Sequence, residues 1–243
     1  MKALVGPDYE RWSRHLEAAD HEHRVEMMKD FLERSDHDAG ISDLSRLQIR
    51  EPRVAELYRQ VVDTIEAKHG PQIAARYIWV RDHPGANSYT YLSEDRGKTA
   101  AALQIGSEEE ELVIAMSCAH ELAHVIDDAS GFSFSRTDTP WLRAASTSDA
   151  LAEIQASKTL QERKLDWWGD GSLLVSWSDY LSQPREIFAR YYEQYLIEGS
   201  DKEADFHAAD VAYKERNGFH WHWHPHEFIA LRPAFEELLN ELG

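Results

Sequence analysis

The chain has a single cysteine, too few basic residues to balance its acids, and no long apolar run. One thiol, Cys118, cannot form an internal disulfide, so the fold does not depend on oxidation and a reducing compartment suits it. Lys and Arg number 26 against 44 Asp and Glu, a formal charge of −18. Binding a phosphate backbone draws on basic side chains to displace counterions, so nucleic acid is not the expected partner. No stretch approaches the roughly 18 apolar residues of a membrane span, and residues 1–10 lack the apolar segment of a secretory signal. A cytoplasmic protein without a membrane partner is the expectation. Repeats, low-complexity tracts and long linkers are absent as well, which leaves one domain as the reading for 243 residues.

What is present is ordered by local pattern. Residues 8–35 are charged and helical in character, and His21 and His23, two apart, diverge on a helix and read as part of a solvated face. After a break at residues 35–40, Pro52 opens an amphipathic helix whose stripe is Val54, Leu57, Tyr58, Val61, Val62 and Ile65, stopped by Gly70-Pro71. Aromatic and β-branched residues then mark strands at 76–80, 88–92 and 99–105, with turns at His83-Pro84-Gly85 and Asp95-Arg96-Gly97-Lys98. A small sheet therefore precedes residues 107–128. A helix is expected over 149–165, a loop at 167–171, and the exposed-looking aromatics Phe132, Phe134 and Trp141 read as cover for a core, with the lining of a substrate groove as the alternative.

Residues 107–111 place acids at a helix start, and a largely apolar body carries the helix into His120-Glu121-Leu122-Ala123-His124. Residues four apart share a helical face, so His120 and His124 can direct two imidazoles at one cation with Glu121 beside the same cavity. Cys118 and Leu122 lie about 200° away and should face the core. Two histidines do not complete a zinc site, which takes a third protein ligand and keeps one position open for water. The metzincin completion needs a glycine and a third histidine where this chain has Asp127 and Ser130. The gluzincin completion is a Glu from a later helix. The best stretch for it is Ser182-Gln183-Pro184-Arg185-Glu186-Ile187-Phe188-Ala189-Arg190, where Pro184 fixes a helix start and Glu186 falls in the first turn. An ion pair of Glu186 with Arg190, four residues on, is the plain structural alternative. Ile187, Tyr191 and Leu196, with Phe188, Tyr192 and Tyr195, are the expected core contacts of that helix. Asp127 and Asp128 are candidates to orient a ligand imidazole through its free N–H, Asp128 with the better angle.

Together, His120-Glu121-Leu122-Ala123-His124 and the stretch from Tyr180 to Arg190 resemble the zincin-like metallopeptidase domains associated with large polyvalent proteins of phages and mobile elements. They are more distantly similar to the catalytic domain of anthrax lethal factor. The resemblance covers roughly residues 76–200, with an echo in 232–239, and departs from the lethal-factor pattern at Arg190, where that pattern carries a second Glu, and in the placing of Tyr180. It implies that Glu186 is the third zinc ligand and that Tyr180 stabilises the oxyanion.

The resulting expectation is an α+β, zincin-like, mostly helical fold in one domain, 1–243, with a helical portion at 1–70, a catalytic core at 76–200 and C-terminal helices at 201–243. Its function would be zinc-dependent hydrolysis of peptide bonds in a peptide or protein substrate. His120, His124 and Glu186 would hold one Zn²⁺, Glu121 would act as general base and Tyr180 as catalytic donor. A non-cleaving zincin and an acidic interaction protein are the alternatives. The alternating His220, His222, His224 and His226 read as a surface strand pinned by Trp221 and Trp223, with a second metal or a cap over the groove as the other possibility. His207 is an outside candidate ligand.

Overall fold

The computed structural model describes residues 47–49, 51–69, 77–83, 88–95, 98–107, 110–129, 135, 138–166 and 174–240. The sequence expectations for residues 8–40, for Phe132 and Phe134, and for the 167–171 loop lie outside these residues. The described chain is mostly helical with a small sheet.

Strand β1 (Leu47–Gln48) leads to helix α1 (Pro52–His69), followed by β2 (Tyr77–His83), β3 (Ser88–Asp95) and β4 (Lys98–Gly106). The strands order as β1-β2-β4-β3, with β1 and β4 parallel to β2 and β3 antiparallel to β4. The strand just before the histidine helix is therefore interior to the sheet, and β3 is the edge on that side. A peptide adding to the sheet there would meet β3 rather than β4.

Helix α2 (Glu111–Ala129) carries the H-E-x-x-H and packs against α1, β4 and helix α7 (Pro184–Ile197). The stripe expected on α1 is the buried one: Val54, Tyr58, Val62 and Ile65 are inside, and Leu57 and Val61 pack against them. Between α2 and α7 run α3 (Pro140–Ser146), α4 (Asp149–Ala156), α5 (Lys158–Glu162), a ribbon of β5 (Lys164–Asp166) with β6 (Leu174–Ser176), and α6 (Trp177–Leu181). The helix expected over 149–165 is thus broken. Ser157 takes an extended conformation, φ −68° and ψ 109°, and its hydroxyl accepts the Leu160 N–H, so a local cap outcompetes helix continuation. Trp141 is also corrected. It is a core residue whose ring meets Phe188, Tyr191 and Phe235 at centroid distances of 6.1, 5.3 and 4.9 Å.

Helix α7 is the most enclosed element, with every side chain from Glu186 to Ile197 buried. Truncating a ring such as Phe188 in this core should cost about 3–5 kcal/mol. Helices α8 (Glu203–Asn217) and α9 (Pro225–Asn240) close the chain. Gly218, left-handed at φ 82°, ends α8 and turns the backbone into the histidine-rich segment. That segment is not a strand. Phe219 and Trp223 are buried and so is His222, so histidines and aromatics do not segregate to opposite sides.

Candidate metal centre

Helical spacing places His120 and His124 one turn apart on α2, their rings edge to face at 4.9 Å between centroids. Pro184 starts α7 at its first turn, and this aims Glu186 at both rings. His120 Nε2 stands 3.3 Å from Glu186 Oε2, and His124 Nε2 stands 3.3 Å from Glu186 Oε1. One ligand atom from each of the three residues lies within 4.8 Å of the others. Cys118 and Leu122 face the core, as expected of the opposite side of α2.

Two geometries bear on these separations. Charge-assisted N–H···O bonds contract to about 2.7–2.9 Å. Two ligands of one tetrahedral ion, each about 2.1 Å from it, stand about 3.4 Å apart. The observed 3.3 Å is compatible with the second geometry, and it equals the His120–Glu193 and His222–Asp210 separations, where no third donor converges among the described residues. Two imidazoles and one carboxylate are donors that borderline divalent ions accept, and they sit on two packed, buried helices. The three residues could hold a metal ion.

Without an ion, protons take its place. His120 turns Nδ1 to Glu193 Oε2 at 3.3 Å and Nε2 to Glu186, so carboxylates face both ring nitrogens. Burial opposes its charge, but the hydrogen bonds to Glu186 and Glu193 prevail and raise His120 to about 10. For His124 burial prevails and lowers it to about 4 against the attraction of Glu186, with the Arg185 and His120 charges adding to the lowering. The two histidines share one carboxylate and cannot both be cations at this distance. Arg185 Nε donates to His124 Nδ1 at 3.2 Å, which makes Nε2 the protonated nitrogen of that neutral ring. Glu186 is held well below the ordinary carboxylate range, since the hydrogen bonds and charges of both histidines outweigh its burial. Glu121 is raised to about 7, by burial first and then by the charges of Glu186 and Glu193 against the pull of His120 and Arg185.

Tyr180, on α6, reaches the same place. Ser176 caps that helix by accepting the Asp179 N–H at 3.0 Å, and Trp177 meets the Tyr180 ring edge-on at 5.6 Å. The phenol hydrogen-bonds the Glu186 side chain and is pushed well above its ordinary range, chiefly by burial and then by the Glu186 charge, so it remains a donor. Arg190 does not form the ion pair considered as the alternative. It is buried, and its guanidinium donates to the Trp221 and Leu181 carbonyls at 2.9 Å each, clamping α6 and the histidine-rich segment to α7.

Asp127 accepts from the Ser135 N–H and hydroxyl, at 3.1 and 2.5 Å, and the carboxylate facing His120 Nδ1 is Glu193. The side chain of Asp128 lies outside the described residues. His207 pairs with Glu198 at 3.3 Å and is not part of this cluster. Glu193 was open to discovery from the sequence, because it lies seven residues after Glu186 and two helical turns return it to the same face. Beyond it, His222 stands with Nε2 3.0 Å from Glu193 Oε1 and Nδ1 3.3 Å from Asp210 Oδ1. Its burial opposes charge, but with a carboxylate facing each ring nitrogen it is raised above its ordinary value. No family model matches the chain, and no curated protein matches it.

Proposed function

We propose that the chain is a zinc-dependent metallopeptidase of zincin type in which His120, His124 and Glu186 are the metal ligands. The observation that carries the reading is the convergence of one buried carboxylate, Glu186, on the Nε2 atoms of both helix-borne histidines, at 3.3 Å from each. A divalent ion held there supplies Lewis acidity, which makes water a nucleophile near neutral pH. The residues of this chain do the rest. Glu121, its carboxyl raised to about 7, is poised to take a proton from water and return it to the leaving amine. Tyr180 offers its hydroxyl to the oxygen that gains charge as the peptide carbonyl is attacked. Glu193 fixes the ring of His120 through Nδ1 and thereby the direction of Nε2.

A second reading is a protein with the same donors that captures a peptide without cleaving it, and one contact bears on how readily either form takes its ion. Arg185 donates to His124 Nδ1, the nitrogen that must carry the proton when Nε2 is a ligand. An acidic interaction protein would need no metal at all. Elemental analysis of purified wild type and Glu186→Ala separates the two zinc-binding readings from this one, and turnover of an unfolded protein by the zinc-loaded chain separates those two from each other. The variant is expected to lose one zinc equivalent per chain relative to wild type, and unchanged zinc content overturns the ligand assignment. Wild type that takes up no zinc favours the acidic interaction protein.

A further inference from the structure

A second group of donors lies outside this site. Glu153 on α4 and His220 and His224 in the segment after Gly218 each offer one ligand atom, all within 4.8 Å of one another. The two imidazoles meet at 4.3 Å between centroids, and His224 Nε2 stands 3.7 Å from Glu153 Oε1. Two of the three donors, Glu153 and His220, are held from behind. The His220 backbone N–H donates to Glu153 Oε2 at 3.1 Å, which leaves Oε1 to face His224. Asp210 Oδ2 takes His220 Nδ1 at 2.6 Å, so Nε2 is the ring nitrogen left for an ion. A carboxylate behind the far nitrogen of an imidazole is the arrangement that fixes the tautomer of a ligating histidine. The Lys214 ammonium also pairs with Glu153 Oε1. It is one cation on a half-buried carboxylate, which a divalent ion bridging three donors would displace.

The third group, Glu198, Glu203 and His207, offers one imidazole only, and Glu203 Oε2 accepts the Gly199 N–H at 2.8 Å. It carries no comparable preparation.

We propose that Glu153, His220 and His224 form a second, structural site for a zinc-class divalent ion. An ion there fastens the histidine-rich segment to α4. The fastening extends inward, because Asp210 holds both His220 and His222, and His222 faces Glu193, the carboxylate that orients His120. Glu227, 4.0 Å from His224 Nε2, already accepts the Asp149 and Ala150 N–H groups, so among the described residues no carboxylate beside this site is placed as Glu121 is, and the site is assigned to binding. The inference rests on donors separate from those of the proposed catalytic site and holds whether or not that site cleaves peptides.

The test is zinc content per chain after equilibration of the full-length protein with excess zinc and removal of free metal. Wild type is expected to hold two ions, and His224→Ala and Glu153→Gln one each. His124→Ala is expected to lose the other ion. Unchanged zinc in both His224→Ala and Glu153→Gln overturns the second site and leaves the first standing. Unchanged zinc in His124→Ala with a loss in His224→Ala overturns the first and keeps the second. Should the second-site variants fold poorly, zinc is added to His124→Ala, whose melting temperature is expected to rise with Glu153 and the two tail histidines intact. No rise overturns the proposal.

Discussion

The two donor clusters are alike in composition and unlike in what carries them. His120, His124 and Glu186 stand on two helices packed against each other, with Glu186 at 5% and His124 at 4% exposure. Glu153, His220 and His224 are half-buried, and both histidines lie in an irregular segment after a left-handed glycine. Each cluster has an orienting carboxylate, Glu193 behind His120 and Asp210 behind His220, and His222 lies between these two. The difference is electrostatic as much as structural. In the buried cluster the low dielectric makes every proton and charge strongly coupled, which suits chemistry, whereas at the surface water screens the same groups and leaves them suited to binding.

The largest expected effect would separate the clusters by function. Glu121 belongs to the buried cluster alone, so Glu121→Gln should lower peptide cleavage by about 10²- to 10⁴-fold. Zinc content should remain that of wild type, because Glu121 is a ligand in neither group. Cleavage of an unfolded protein substrate, read beside elemental analysis, checks this, and undiminished cleavage would remove Glu121 as the base.

Acidity should sharpen the contrast next. In the ion-free buried cluster His120 keeps its second proton up to about pH 10, so an ion must expel that proton to bind. Between pH 7 and pH 10 the affinity of the buried cluster should therefore rise about tenfold per pH unit. Below about pH 7 the slope should steepen, as Glu121 also becomes protonated. The sign for folding stability is the reverse at this residue. A raised imidazole stabilises the ion-free fold fully below its unfolded value near 6.5, and that contribution is lost as pH rises through about 10. Zinc titrations of His224→Ala across this range isolate the buried cluster, and a flat profile would contradict the double carboxylate contact of His120.

How much of this could be read from the sequence follows the range of the forces. The helix of His120 and His124, the buried side of Cys118, and the first-turn position of Glu186 after Pro184 depend on local periodicity and turn chemistry, and they stand where the pattern put them. The convergence of Glu186 on both imidazoles needed two helices brought together across about sixty residues, and only the motif pairing pointed to it. The orienting carboxylate on His120 was not legible in the local sequence: Asp127 and Asp128 are near in sequence, whereas Glu193 reaches His120 from 73 residues away. The break at Ser157 and the burial of Trp141 are also tertiary and capping effects that an apolar pattern does not encode.

The link between the clusters can be cut at Glu193. Its two oxygens face His120 at 3.3 Å and His222 at 3.0 Å. A Gln there keeps the volume but offers one carbonyl where two imidazoles require acceptors, so one histidine meets an amide N–H. Glu193→Gln should weaken zinc binding at the buried cluster by about 10- to 100-fold. Competition with a chromophoric chelator measures this, and wild-type affinity would show that His120 needs no partner behind it.

The smallest effect expected is a gain, and it decides between the cleaving and non-cleaving readings of the buried cluster. Arg185 donates to His124 Nδ1 when no ion is bound, and a ligating neutral imidazole must itself carry a proton on that atom. Arg185 therefore has to turn aside on binding, and its positive charge opposes an incoming cation as well. Arg185→Gln substitutes a group whose carbonyl can accept from Nδ1–H and removes the charge, so zinc affinity should rise by about three- to tenfold. If instead affinity falls, Arg185 supports the bound form and the ion-free hydrogen bond is not a competitor. If it rises while cleavage by the zinc-loaded variant disappears, the arginine is needed after binding, where a guanidinium beside the ligands can hold a substrate carbonyl or carboxylate, and the chemistry rather than the capture is what this cluster is built for.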